Sequence, residues 1–454
     1  MKYRMLIPVF PLLLFSVMSY GQLKINYERF VLDNGLQVIL HEDHSVPSVT
    51  VNVWYHVGSG SEKPGRTGFA HLFEHLMFEG SGNVQEGKFD EWLEAAGGDN
   101  NGSTTPDRTN YYENLPSNAL ELALFLESDR MGYLLNAMTP SKVDGQRDVV
   151  KNERRQSYEN RPYGLAWPTI SENLYPPDFP YHWPTIGSMA DLTAASYQDV
   201  VEFFKKYYVP NNASLVIAGD INPAEVKKLV HKWFDEIPAG NVVMPVDAPV
   251  AYSTEEKRLL MEDKVQLPRI YITWQTPPRF APGDAELDIL ANILAGGKNS
   301  RLYKKLVYDM QIAQDVNAFS NKGVLSSGFY VIVTARSGHT LAEIEKIIQE
   351  EISKIKQEAP AQRELERAVN QYEAGFLDAL ENIGDKADQL NDYYVETGNP
   401  DYFNEDLSRY KALDRNDIST SAQTFLRDNS AVVLSIVPEG KKELAAVNSK
   451  EVKK

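Results

Sequence analysis

The sequence predicts two tandem copies of one α+β domain, each a mixed, mostly antiparallel sheet packed with helices, and three observations lead there. The chain has 454 residues, and single cores stop growing near ~250–300 residues, so two large domains are expected. Helical and strand-like periodicities alternate along its length. Segments of the second half also echo segments of the first at a nearly constant offset.

The first residues stand apart from this pattern. Lys2 and Arg4 precede the apolar run from Met5 to Met18, and Ser19-Tyr20-Gly21-Gln22 offers small residues for cleavage before Gln22, the layout of a secretory signal peptide over residues 1–21. The run contains Pro8 and Pro11 and is shorter than the ~20 apolar residues that a membrane span needs. An exported protein is expected, periplasmic before extracellular, with no membrane span after cleavage. Hydrophobic and charged fractions of 43% and 24% are those of a globular chain. A formal net charge of −17 argues against nucleic acid as a partner. There is no cysteine, so no disulfide framework can be read.

After the signal, Phe30-Val31-Leu32 and Leu36–Leu40 flank the turn dipeptide Asn34-Gly35 and predict a hairpin. A valine-rich strand follows over Ser48–His56. Beyond the Gly/Ser loop of residues 58–68, helices are expected over Phe69–Phe78, Lys88–Ala96 and Asn118–Leu135. Residues 22–240 form the first domain in this reading, 241–254 a linker rich in Pro, Val and Ala, and 255–454 the second domain. In the second copy Arg269–Trp274 takes the place of the valine-rich strand, and Ala285–Leu294 that of the first helix. Aligned on Gly80 and Gly296, His71, Glu74 and His75 fall on Leu287, Leu290 and Ala291, so chemistry belongs to the first half.

That chemistry centres on His71-Leu72-Phe73-Glu74-His75. On a helix the two imidazoles at i and i+4 and the intervening carboxylate share one side, which suits a zinc ion and a base that takes a proton from water. Two histidines cannot complete a catalytic site, and a third protein ligand must come from elsewhere. Glu153, in the charged helical run that starts near Thr139-Pro140-Ser141, is the first choice; Glu113, Glu127 and Glu159 stay open on chemistry alone.

The sequence resembles the inverzincins of pitrilysin type, a family that includes insulin-degrading enzyme, the mitochondrial processing peptidases and bacterial members of one-subunit length. The resemblance is carried by Leu32-Asp33-Asn34-Gly35-Leu36, by residues 68–78 around the inverted H-x-x-E-H order, by Thr109-Asn110-Tyr111-Tyr112, by residues 147–153, by residues 180–187, by residues 207–212 and by Ser300-Arg301-Leu302-Tyr303. It implies one half of a clamshell, with His71, His75 and Glu153 as zinc ligands and Glu74 as general base of an endopeptidase. It further implies that peptide adds as a strand at Asn101-Gly102-Ser103-Thr104.

Two positions depart from the family pattern. Gln146 stands where a glutamate often supports the zinc site from outside the ligand set. Val307 and Gln314 stand where relatives that bind substrate with the second domain carry an arginine and a tyrosine, and Tyr308 is close but out of register. A homologous partner subunit bearing that pair is therefore expected. The competing reading is a non-catalytic, peptide-binding or scaffold subunit of the same family.

Overall fold

The computed structural model describes residues 23–249 and 251–452, so the expected signal peptide lies outside the described residues. The first half forms strands β1 (Glu28–Val31), β2 (Gln37–Glu42), β3 (Ser48–Tyr55), β4 (Asp99–Thr104), β5 (Thr109–Pro116) and β6 (Ala213–Gly219). Its helices are α1 (Phe69–Leu76), α2 (Lys88–Ala95), α3 (Leu120–Ala137), α4 (Pro140–Arg154), α5 (Ala166–Leu174), α6 (Met189–Ala194), α7 (Tyr197–Tyr207) and α8 (Pro223–Phe234). The second half supplies β7 (Lys257–Asp263), β8 (Arg269–Thr276), β9 (Ala313–Asn321), β10 (Ser327–Ala335), β11 (Val432–Pro438) and β12 (Lys450–Glu451). With them come α9 (Asp284–Ala295), α10 (Leu341–Gln357), α11 (Gln362–Ala379), α12 (Ile383–Thr397), α13 (Phe403–Lys411) and α14 (Arg415–Phe425). No helix among the described residues is long and apolar enough to cross a membrane.

The predicted hairpin is present: β1 and β2 pair antiparallel, and the Asn34 amide closes the turn onto the Phe234 and Ile237 carbonyls. The two sheets have the orders β1-β2-β6-β3-β5-β4 and β12-β7-β11-β8-β10-β9. From the second position onward these match strand for strand. In each, one parallel pair (β2 with β6, β7 with β11) interrupts otherwise antiparallel pairing in the series. The predicted duplication is thus visible as topology. Its register shifts by one residue at the helix, because both α1 and α9 start after a left-handed glycine, Gly68 (φ 91°) and Gly283 (φ 100°). Aligned on those glycines, Glu286, Ile289 and Leu290 stand at the places of His71, Glu74 and His75. Glu286 is spent on the helix cap, where it accepts the Gly283 N–H, and Ile289 and Leu290 are buried.

Each half packs its own helices on one face of its sheet, with residues such as Val51, Leu72 and Leu124 in the first core and Ile272, Leu290 and Ile348 in the second. The opposite faces are covered by exchange. Helix α12, from the second half, lies on β3 and β6 of the first sheet and buries Ala387, Leu390 and Tyr393 against Ile39, Val216 and Ala218. Helix α5, from the first half, lies on β8 and β11 and buries Ala166 and Ile170 against Tyr271, Leu434 and Ile436. Each sheet has one face covered by a helix of the other half, so the two halves complete each other. Leu390→Ala, which removes a fully buried side chain from α12, is expected to lower the stability of the chain by about 2–5 kcal/mol in urea unfolding.

Candidate metal centre

Helix α1 buries Phe69, Ala70, Leu72, Phe73 and Leu76 in the first core, which leaves His71, Glu74 and His75 partly exposed on its remaining side. Its start is fixed by close packing. A Cβ on Gly68 would lie 2.7 Å from the Ile186 carbonyl oxygen, and one on Gly187 (φ 75°) would lie 2.4 Å from the Gly68 Cα. Only glycines let the loop of residues 180–187 pass this near. Gly68 brings no capping side chain, and the buried Glu62 carboxylate takes over that role by accepting the Gly68 and Ala70 N–H groups at 2.9 and 2.8 Å.

Glu153 comes from the last turn of α4, which packs against α1. The helix starts as its sequence predicts, with Thr139 capping Lys142 N and Pro140 in the first turn. Just past Glu153 it widens to π-type turns over Arg155–Glu159. There Arg154 turns to hold the Gly187 carbonyl oxygen, tying α4 to the same loop that abuts Gly68.

The Glu153 carboxylate bridges both imidazoles, Oε1 at 3.6 Å from His71 Nε2 and Oε2 at 3.2 Å from His75 Nε2. One donor atom from each residue falls within 4.8 Å of the others. Burial lowers the His71 pKa and favours its neutral, ligating form, while the hydrogen bond to His75 holds Glu153 below its usual range. Two imidazoles and a carboxylate make a donor set that fits zinc with one position left open.

Glu74 stands beside this group, and its Oε2 accepts the Thr104 hydroxyl at 2.6 Å. The Asn101–Thr104 segment is the outer part of β4, the edge strand of the first sheet. The bond from Thr105 N–H to the Arg108 carbonyl oxygen sets the phase of the β4–β5 ladder. By antiparallel alternation, residues 101 and 103 turn their main-chain groups to β5, while Gly102 and Thr104 turn theirs to the open edge. The Gly102 N–H is covered by its neighbour's Asn101 Oδ1 at 2.8 Å.

The remaining candidates lie elsewhere. Glu113 and Glu127 are fully buried around Arg130, whose guanidinium reaches Glu113 Oε1 at 3.0 Å and Glu127 Oε2 at 2.9 Å. The rings of Phe78, Phe89 and Tyr111 surround that cation. Both acids are thus committed to a buried polar cluster around Arg130 and do not sit on a solvated helix face. Glu159 pairs with Arg154 at 3.0 Å. Gln146 reaches none of the three donors; its amide donates to Glu79 Oε1 at 2.5 Å, one step away from the site. The contribution of Thr104 to Glu74 was not visible in the sequence, where residues 101–104 read as a strand for peptide only through the resemblance.

Residues 37–175 match the family model described as Insulinase (Peptidase family M16), and residues 194–372 match the one described as Peptidase M16 inactive domain. His71, Glu74, His75 and Glu153 all fall in the first of these. Zinc protease PqqE of Helicobacter pylori is 29% identical over 424 residues, 91% of this chain and 93% of that protein. The crystal structure of a protease from Helicobacter pylori superposes with a TM-score of 0.86 at 26% identity, covering 91% of this chain and all of that one. The periplasmic protease PqqL from Escherichia coli superposes with a TM-score of 0.76 at 19% identity, and the match takes up 91% of this chain but 48% of PqqL.

Removing the Arg130 guanidinium would leave the buried Glu113 and Glu127 side chains without the donor they share. Arg130→Ala is therefore expected to cost about 3–5 kcal/mol of stability, read by chemical unfolding.

Proposed function

We propose that this chain, which belongs to the insulinase-type peptidases (family M16), is a zinc-dependent endopeptidase that cuts oligopeptides or unfolded polypeptides. The observation that carries this reading is the convergence of His71, His75 and Glu153 donor atoms within 4.8 Å, with Glu74 beside them and an open strand edge at Gly102 and Thr104. His71, His75 and Glu153 would hold the metal. When bound, zinc supplies a Lewis acid that polarises the scissile carbonyl and activates water.

The chain's own residues account for the other steps. A peptide laid against β4 pairs its main chain with the outward groups of Gly102 and Thr104, and displaces the Asn101 oxygen from the Gly102 N–H. Main-chain pairing makes sequence preference loose. Glu74 then takes the proton of the attacking water and returns it to the leaving nitrogen.

The chain also reads as the zinc half of a heterodimer. Val307 packs against the second core, and Gln314 is exposed on β9; neither offers the cation and phenol that would grip a substrate carbonyl from the second domain. A homologous subunit carrying an arginine and a tyrosine at those places would supply them. Export to the periplasm rests on Lys2, Arg4 and the apolar run before Gln22.

Zinc content and peptide cleavage of wild type and Glu74→Gln, each alone and with the partner, test the reading. The variant is expected to keep its zinc and lose turnover by about 10²–10⁴-fold. Absence of zinc from the purified wild type would favour a non-catalytic subunit instead, and full activity of the chain alone would remove the case for a partner.

A further inference from the structure

We infer that Thr104 is a positioning residue for Glu74: its hydroxyl fixes the carboxylate against the same edge strand that receives the peptide. The inference rests on the peptidase reading above and deepens it, because it assigns to a strand residue a task distinct from main-chain pairing.

Three observations on two elements carry it. Glu74 Oε2 accepts the Thr104 hydroxyl at 2.6 Å, a short O–H···O bond. No other hydrogen bond to this carboxylate occurs among the described residues, so Oε1 stays available for a proton. The approach is also tight at the neighbouring residue, since a Cβ on Gly102 would lie 3.2 Å from Glu74 Cγ. The glutamate stem therefore runs along β4, with a wall at Gly102 and a hydroxyl anchor at Thr104.

The choice of side chain fits the task. A free glutamate has three rotatable bonds, and fixing it for proton transfer costs rotamer entropy. A β-branched threonine has few χ1 choices, so its hydroxyl is already aimed. In β4 the side chain of Thr104 points to α1 while its main-chain groups face the open edge. One residue thus sets both the register of the peptide and the place of the base.

That strand is itself held from both sides. Arg108 donates to the Ser103 carbonyl oxygen at 2.9 Å and to its hydroxyl at 2.6 Å. At the β4–β5 turn, Asp107 accepts Val324 N–H at 3.2 Å and the Tyr181 hydroxyl, and that hydroxyl accepts Leu325 N–H at 3.0 Å. The hydroxyl of Thr104 is thereby presented from a fixed backbone.

The test compares Thr104→Val, which keeps the shape and deletes the hydroxyl, with Thr104→Ser, which keeps the hydroxyl. In the zinc-loaded protein with its partner, Thr104→Val is expected to lower kcat about 10- to 100-fold with KM within about twofold. Thr104→Ser is expected to restore most of the rate. A readout without turnover accompanies this: on zinc-loaded Glu74→Gln, a fluorescent peptide should bind with the same Kd whether residue 104 is Thr or Val. A raised KM and a weakened peptide Kd in the valine variant would make Thr104 a strand contact only and overturn the inference. Unchanged kcat in the valine variant would overturn it too while leaving the peptidase reading intact. A wild type that, together with its partner, binds zinc yet hydrolyses nothing would overturn both.

Discussion

The place of strand β4 depends on a carboxylate that enters from the far end of the chain. Asp388, on α12, accepts Asn52 and Trp54 from β3 and Asn110 from β5, all on one oxygen at 2.9 to 3.1 Å. Asn110 in turn accepts the Ser103 hydroxyl of β4 at 2.7 Å and Arg108 at 3.1 Å. Asn391, one turn further along α12, is bonded by the Ser214 hydroxyl of β6 and reaches the Asn52 carbonyl oxygen. The polar seam thus locks α12 in register over four strands, while Leu390 and Tyr393 supply the apolar contact beside it. An edge strand with unpaired outer groups would ordinarily fray. Here its inner face is tied strand by strand back to a helix of the other half, and the site inherits that rigidity.

Local chemistry was legible in the sequence, and long-range placement was not. The histidine pair on α1 could be read because i, i+4 geometry is a property of five residues. The β1–β2 hairpin could be read because Asn-Gly is a turn signal in itself. Asp99-Asn100-Asn101-Gly102 is poor in strand-forming residues, and only its pairing with β5 makes it a strand. Glu113 and Glu127 stayed candidate ligands because nothing in the sequence places Arg130 between them. The resemblance supplied Glu153, and the geometry brings its carboxylate to both histidines. The exchange of α5 and α12 had no sequence signal either, since the apolar face of a helix does not say which sheet it will cover.

The two copies of the fold make an internal comparison. Both begin the equivalent helix with a left-handed glycine, yet one leaves His71, Glu74 and His75 partly exposed beside Glu153 and the other sends Ile289 and Leu290 into its core. The difference is one of facing. In the first half α4 runs beside α1 and leaves room for a carboxylate at its end, whereas the second-half helix is enclosed by β9, α11 and α14. Loss of the donor set and burial of the helix go together, because imidazoles without a metal or an acceptor would be costly in that interior.

Exchange of α5 and α12 also orders events in time. One face of the first sheet, with Ile39, Val216 and Ala218 beside its polar seam, has no cover until residues 383–397 have been synthesised. Residues 213–219, which form the centre of that sheet, likewise follow β2 and β3 by more than a hundred and fifty positions. A nascent chain of this topology stays open for most of its elongation and closes late, with both halves consolidating together. The half that carries His71, Glu74, His75 and Glu153 is therefore finished only when the other half is.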